Sequence, residues 1–456
     1  MADLGVTFAG LRLKNPLIAA AGPIAASVEM VNRLADAGVA AVVMKTGFRR
    51  VEYERWVGRK GIFPYKPVYK YQGLHRGRLL SLPTLAELPA EDMARRIEGM
   101  KRTGIPVIGS VMGLSVEGYR RSAQLLAEAG ADAIEIDLCC TIPEFTTLYP
   151  MAGQNVNFHP KLYAKIVRAV KRAVSIPVGV KSTVSLYLYA KVLEGLVRSK
   201  VRNALPEFVT LVGQLDQNPG VDLDRLRPLV PHIPTFGWQG SLAPLTYSAL
   251  ATFSSTLGTD RPQLSASGGI RDHKGALTAI ALGATTVQLQ TAVLDKGVEV
   301  VSRILRSLEE HLDARGIVRL ESIIGAASRE YIPAMVLGRF MRERDVLFGR
   351  MYAALRAEGC NGCGLCEIVC TERAIAMVEG KPVVERAKCR ACNLCVLKCA
   401  PGALYLENFA LLEELAEHFK DTEEMRSFRE FMGKERISWW DLIRLPGELK
   451  AWGLAP

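Results

Sequence analysis

The sequence predicts an α/β protein: a (β/α)8 TIM barrel, followed by a small cysteine-bound domain and a helical tail. Two observations predict it. Over about 300 residues eight continuous apolar runs alternate with helix-patterned stretches, and after them the spacing C-x2-C-x2-C-x3-C occurs twice.

The apolar runs are PLIAAAG, VAAVVMKT, IPVIGSV, ADAIEIDLCC, IPVGVKS, PEFVTLVG, RPQLSASGG and ATTVQLQT. Each is unbroken, as expected of a parallel strand buried on both faces. Helical patterns lie between them at 27–37, 90–103, 116–129, 159–173, 185–199, 242–256 and 273–282, with a last helix at 297–315. Seven or eight such units in series favour a closed barrel over an open doubly wound sheet. No G-x-G-x-x-G follows the first strand, which argues against a dinucleotide-binding start. The barrel is expected over 1–325 with a basic and aromatic insertion at 47–85. Residues 326–357 read as a charged helical linker, 358–404 as the cysteine domain and 405–456 as an amphipathic helical tail.

A length of 456 residues suits one large domain and a small one. The net charge of +11 points to an anionic partner. Between Arg49 and Arg78 stand nine Lys or Arg residues against two acids, interleaved with Tyr53, Trp56, Phe63, Tyr65, Tyr69 and Tyr71. A solvated loop is the plain alternative; an acidic substrate or ferredoxin-like partner fits better than nucleic acid. No apolar run approaches the ~18 residues that would span a bilayer. The start, MADLGVTF, shows neither a basic n-region nor a signal-peptide core. With eight of ten cysteines spoken for as thiolate ligands, a reducing compartment, the cytoplasm, is expected.

Cys360, Cys363, Cys366 and Cys370 form the first cysteine run, and Cys389, Cys392, Cys395 and Cys399 the second. A cubane iron–sulfur cluster takes three thiolates from one loop at every third residue and a fourth from elsewhere; in two-cluster ferredoxins the fourth cysteine of each run ligates the other cluster. The spacing therefore assigns Cys360, Cys363, Cys366 and Cys399 to one [4Fe-4S] cluster, and Cys370, Cys389, Cys392 and Cys395 to the second. Structural zinc does not ask for a third cysteine at this spacing in both runs. The usual proline after the fourth cysteine is replaced by Thr371 in the first run and by Ala400, before Pro401, in the second.

Barrel enzymes place their chemistry at the C-terminal ends of the strands and often hold a phosphate after strands seven and eight. Those loops read SASGGI and LQTAV. Gly268 and Gly269 would let backbone N–H groups approach a phosphate, Gln290 and Thr291 follow the last strand, and Gly240 in GWQG follows the sixth. Lys45 and Lys181 end two other buried strands. Each needs an anionic or polar partner; a structural salt bridge is the plain alternative for one alone, and a shared anionic cofactor fits better for both.

Together, FAGLRLKNPLIAAAG, VVMKTG, IPVGVKS, LSASGGI and GATTVQLQTAV resemble the FMN-binding barrel of the dihydroorotate and dihydropyrimidine dehydrogenases. A barrel followed by two clusters is similar to the barrel-plus-ferredoxin subunit of bacterial dihydropyrimidine dehydrogenases. The resemblance implies FMN, with Ala20, Ala21 and Gly22 against the flavin, Lys45, Thr46 and Lys181 at its ring, and Gly240, Gly268, Gly269, Gln290 and Thr291 at its phosphate. The family's fourth strand ends in NLSCP, its cysteine exchanging a proton with substrate. Here it reads DLCCT, so Cys140 matches the acid/base cysteine, Asp137 replaces asparagine, Cys139 serine and Thr141 proline. An amide both donates and accepts, whereas an ionised carboxylate only accepts. The cofactor is thus better specified than the substrate.

The expected activity moves a hydride between FMN and an activated C=C bond of a small molecule. Cys140 serves the matching proton, Lys181 stabilises charge on the reduced ring, and the loop 141–158 (with Glu144, Tyr149, Asn155 and Asn157) covers the substrate. Hydride chemistry takes two electrons and a cluster passes one, so the cysteine domain would feed or drain the flavin. No nicotinamide segment is visible. The outside electron partner is therefore expected to be a protein, either a ferredoxin or an FAD/NAD(P)H-binding subunit, in an oligomer or hetero-complex. The alternatives are a non-catalytic electron-transfer subunit and an RNA-directed flavin reductase.

Overall fold

The computed structural model describes residues 2–52, 74–75, 78–79, 88–140, 151–183, 204–213, 221–222, 224, 226–228, 242–257, 262–329 and 351–408. The chain divides into two compact units, Met1–Arg329 and Glu330–Pro456.

The first unit is a closed parallel barrel. Its strands are β1 (Leu17–Ala19), β2 (Ala41–Val43), β3 (Val107–Val111), β4 (Ala133–Leu138), β5 (Val178–Ser182), β6 (Phe208–Val212), β7 (Gln263–Ser267) and β8 (Ala284–Leu289). Each pairs in parallel with its neighbours, and β8 returns to β1 with Val287 opposite Leu17. Around them lie α1 (Val28–Asp36), α2 (Ala90–Lys101), α3 (Val116–Glu128), α4 (Pro160–Ala173), α5 (Ala243–Leu257), α6 (His273–Ala281), α7 (Thr291–Lys296) and α8 (Glu299–Asp313). This is the TIM-barrel arrangement.

Strand β4 shows how the sequence sorts its faces. Side chains alternate along a strand. Ile134 and Leu126 of α3 both press against Gly109, where a Cβ would stand 3.3 and 3.0 Å from them. Glu135 instead reaches β6 and β8 across the barrel. Fully burying an aliphatic side chain of this size is worth about 1.5–3 kcal/mol. The helix layer therefore fixes which face turns outward, and the remaining face carries polar groups inward.

An N-terminal hairpin (Val6–Phe8 with Leu11–Leu13) packs at the opposite end from the strands' C-termini. Phe8 packs against Phe208 with tilted rings 4.8 Å apart, and the Gln263 side-chain oxygen accepts from Ala9 N–H. Phe208 in turn fills the space over Gly179, where a Cβ would come within 2.2 Å of its ring. Helix entries are capped by Ser27, Ser115 and Asp272, each accepting a backbone N–H three residues on.

The second unit runs β9 (Tyr352–Leu355), α9 (Leu365–Ile368), β10 (Ile375–Val378), β11 (Lys381–Val384), α10 (Leu394–Lys398) and β12 (Leu404–Glu407). Antiparallel pairs β9–β12 and β10–β11 hold it together. The pairing corrects the expectation of a helical linker over 326–357, because Tyr352–Leu355 is a strand. Its register with Leu404–Glu407 buries Ala353 and Leu404 over the cysteines, and tertiary pairing outweighs the helix preference of YAAL. The cysteine unit thus extends on both sides of 358–404. Gly297, at φ +77°, separates α7 from α8, and α8 falls within the last helix expected at 297–315. The expected helix at 185–199, most of the linker, most of the basic insertion and the tail after 408 lie outside the described residues.

Candidate functional site

At the C-terminal mouth of the barrel the strands converge polar groups on a buried centre. Lys45 and Thr46 follow β2, Asp137 sits on β4, and Lys181 on β5 stands directly beside Asp137 in register. All four are buried. Thr46 Oγ1 donates to Asp137 Oδ2 at 2.9 Å and lies 2.9 Å from Ser110 Oγ. The other carboxylate oxygen accepts from Cys139 N–H at 3.0 Å.

Beneath this layer, Glu135 Oε2 accepts from Thr210 Oγ1 at 2.6 Å and from Gln288 Nε2 at 2.8 Å. Gln288 Oε1 accepts from Lys181 Nζ at 3.5 Å. Burial, the largest influence, pushes the Glu135 carboxyl above its ordinary pKa, and Lys181 opposes it without cancelling it. Burial alone would depress Lys181. Glu135, Cys139 and Asp137 more than offset that and hold the ammonium above the usual lysine range, against the charge of Lys45. The two lysines singled out in the sequence therefore share one site.

The adjacent cysteines separate. Cys139 lies on the Lys181 side: a Cβ on Gly213 would stand 2.9 Å from its Sγ and 3.2 Å from Lys181 Cε. Burial, then Asp137, push its thiol well above the ordinary range. Cys140 packs in the hydrophobic core, and its carbonyl accepts from Gln154 N–H at 3.0 Å. Asn157, expected in a substrate cover, is buried. It donates to Leu138 O at 2.7 Å and accepts from Ser182 Oγ at 3.1 Å, so it ties β4 to β5. Glu144 and Tyr149 lie outside the described residues.

The loops after β7 and β8 complete the mouth. Gly268 (φ +114°) and Gly269 (φ +79°) hold left-handed backbone, and a Cβ on Gly269 would stand 2.2 Å from Ala243 N. The Gln290 amide packs on Gly22, where a Cβ would meet it at 2.5 Å, and Gln290 Oε1 is buried without a partner among the described residues. Ala20 N–H donates to Leu289 O at 2.9 Å, next to Ala21, and Thr291 opens α7. Gly240 lies outside the described residues. The small residues Ala20, Ala21 and Gly22, the buried Gln290 amide and the two left-handed glycines are chemically suited to a flavin phosphate cofactor, from whose N–H and hydroxyl donors the orphaned amide oxygen could accept. A separate cleft of about 490 Å³ on the outer face, lined by Arg271, His273, Lys296 and Arg303, touches none of these groups.

Ser110, Glu135, Thr210, Gly213 and Gln288 are missed by the sequence reasoning. The acids two apart in AIEIDL, on one face of a strand, carried the only signal.

In the second unit the cysteines ring two cavities. Cys360, Cys363, Cys366 and Cys399 line one, with Met377 and Pro401; Cys370, Cys389, Cys392 and Cys395 line the other, with Ile375. Gly362 and Gly364 in one loop, and Ala391 and Asn393 in the other, take left-handed backbone. Main-chain N–H groups of Ala374, Ala403 and Ala353 donate to the sulfurs of Cys370, Cys399 and Cys389 at 3.2, 3.2 and 3.4 Å. Among the described residues no three His, Cys, Asp or Glu side chains gather tightly enough for a single ion.

The dihydroorotate dehydrogenase family profile matches residues 86–312. The chain is 26% identical over 374 residues to the NAD-dependent dihydropyrimidine dehydrogenase subunit PreA of Escherichia coli, covering 81% of this chain and 85% of that one. It is 26% identical over 330 residues to the dihydroorotate dehydrogenase B (NAD(+)) catalytic subunit of Methanothermobacter thermautotrophicus, covering 71% and 98%. The same-named subunit of Desulforudis audaxviator is 27% identical over 326 residues, covering 71% and 97%.

Proposed function

We propose, from a barrel that resembles the FMN-barrel dihydroorotate and dihydropyrimidine dehydrogenases, that this chain is an iron–sulfur flavoprotein oxidoreductase acting on CH–CH groups. The observation that carries this function is the convergence of Lys45, Lys181, Asp137 and Cys139 at the C-terminal mouth, beside the left-handed Gly268–Gly269 turn. When bound, FMN supplies hydride transfer to or from an activated C=C bond, and two [4Fe-4S] clusters supply single-electron transfer.

The chain's own residues do the rest. Ala20, Ala21 and Gly22 would lie against the ring, with Lys45 and Thr46 at its edge. Lys181 brings a protonated ammonium to a buried site, where charge counts for more than in water. Gly268, Gly269, Gln290 and Thr291, with Gly240, hold the phosphate. Cys140, at the position of the family's acid/base cysteine, serves the substrate proton. Its neighbour Cys139 keeps its own proton at neutral pH, since burial holds that thiol up.

The two cysteine quartets line separate cavities in the crossed pairing of a two-cluster ferredoxin. N–H donation to the sulfurs is the contact through which proteins tune such clusters. Electrons enter or leave through a redox partner protein, a ferredoxin or an FAD/NAD(P)H-binding subunit, in a hetero-complex. Eight cysteines used as cluster thiolates, and no cysteine in a disulfide, suit a reducing, cytoplasmic compartment. Among the described residues no helix is long and apolar enough to cross a membrane.

One observation favours a second reading, an electron-transfer subunit that holds FMN without turnover. Asp137 has both oxygens occupied, by Thr46 and Cys139 N–H, where the family presents an amide. Anaerobic reoxidation of the reduced flavin by a panel of unsaturated compounds, with pyrimidines, enoyl thioesters and aromatic acids included, separates the two. Rapid reoxidation by one class supports the enzyme. Reoxidation by none, with the clusters still exchanging electrons, supports the carrier.

A further inference from the structure

Glu135 is fully buried, and no step above uses it. Its Oε2 takes two hydrogen bonds, from Thr210 Oγ1 at 2.6 Å and Gln288 Nε2 at 2.8 Å, while Oε1 has no partner among the described residues. Gln288 Nε2 also lies 3.0 Å from Thr210 Oγ1, and Gln288 Oε1 faces Lys181 Nζ at 3.5 Å. Three strands, β4, β6 and β8, thus meet in one chain of contacts that ends on the lysine of β5.

A primary amide has one donating end and one accepting end. Oε2 of Glu135 accepts from the Thr210 hydroxyl at 2.6 Å, and as an acceptor it turns the Gln288 NH2 group toward it. The amide oxygen is then left facing Lys181. A flipped amide would set oxygen against oxygen at Glu135 and NH2 against the ammonium, two unfavourable contacts in a buried site.

We infer that Glu135 is a positioning residue: by fixing the orientation of the Gln288 amide it holds the Lys181 ammonium in place at the cofactor ring. The inference rests on the flavin function proposed above. Lys45, Asp137 and Cys139 also bear on Lys181, yet Gln288 is the group that joins it to Glu135 by hydrogen bonds.

The plain alternative is that Glu135 acts through space, as a negative charge beside the site. The two differ in what two substitutions do to the flavin midpoint potential of the holoprotein. Glu135→Gln keeps an acceptor at the Oε2 position and can place its NH2 at the unpartnered side; Glu135→Leu removes the acceptor. Positioning predicts a wild-type potential for Glu135→Gln. For Glu135→Leu it predicts an about tenfold lower ratio of reduced to oxidised flavin at the wild-type midpoint, a midpoint ~30 mV lower for a two-electron couple. Gln288→Met should give the same fall, with none added in the double variant.

An upward shift in both Glu135 variants, from loss of an anion, overturns the inference, as does no shift in Glu135→Leu and Gln288→Met. If Glu135→Leu does not fold, the contrast between Gln288→Met and Glu135→Gln carries the test. Flavin content is measured first. A wild-type protein without flavin overturns the proposed function itself, whereas flavin-loaded variants of wild-type potential overturn only the positioning role.

Discussion

The Thr46 hydroxyl and the Asp137 carboxylate meet at 2.9 Å across the mouth of the barrel, while the second Asp137 oxygen accepts from Cys139 N–H. Asp137→Asn can keep both contacts, because an amide oxygen still accepts from Cys139 and the amide NH2 can donate to Thr46, which also neighbours Ser110. The variant should fold and load flavin as the wild type does. It should also reoxidise faster with pyrimidines, to which an amide can both donate and accept. Stopped-flow reoxidation checks this; an unchanged pyrimidine rate means the carboxylate is not what excludes them.

Cys140→Ser should leave flavin and iron in place and slow substrate turnover by about 10²–10⁴-fold, the usual worth of general acid–base catalysis. Cys139→Ser should be far milder. The reverse order would transfer the proton to the thiol that stands beside Lys181. Alkylation gives a second handle. Burial holds the Cys139 thiol up, and only thiolate reacts. Its labelling, followed by peptide mass spectrometry, should stay slow near neutral pH and accelerate only well into the alkaline range.

Gly213 holds φ +78°, and a Cβ there would stand 2.9 Å from Cys139 Sγ. Gly213→Ala should cost about 1–2 kcal/mol from the left-handed backbone alone, seen as a lower urea midpoint at unchanged m-value. Lys181 Cε, 3.2 Å from the same point, should shift with it and perturb the flavin spectrum. A variant of wild-type midpoint and spectrum would remove the close packing from the account.

Much of this was legible because it depends on local pattern. Buried parallel strands read as unbroken apolar runs, so all eight strands of the barrel fall within the runs singled out in the sequence. Lys45 and Lys181 stood out as charges ending such runs. Glu135, Gln288 and Thr210 did not, since each is an ordinary polar residue until three strands bring them within hydrogen-bonding distance. Tyr352–Leu355 read as helix because its partner strand lies about fifty residues on. The separation of Cys139 from Cys140 depends on strand alternation carried past the end of β4, where spacing alone is silent.

The basic insertion should serve a partner or an anionic substrate. Arg50 is committed to the fold, pairing with Asp92 at 2.5 Å while its N–H donates to Glu91. Replacement of Arg49, Arg55, Arg59 and Lys60 by neutral residues should therefore slow electron entry from an acidic redox protein without unfolding the barrel. The wild-type rate should fall with salt, since exposed charges are screened over about 8 Å at physiological ionic strength. Cluster reduction by a ferredoxin at several salt concentrations measures both. Unchanged rates with a raised KM for substrate would move the insertion to the substrate side.

Cofactor content of the anaerobically purified protein tests the central claim most directly. One phosphate-loop set and two cysteine quartets predict one FMN, with about eight iron and eight acid-labile sulfide per chain. Iron near four per chain, zinc in stoichiometric amount, or absence of flavin would contradict it.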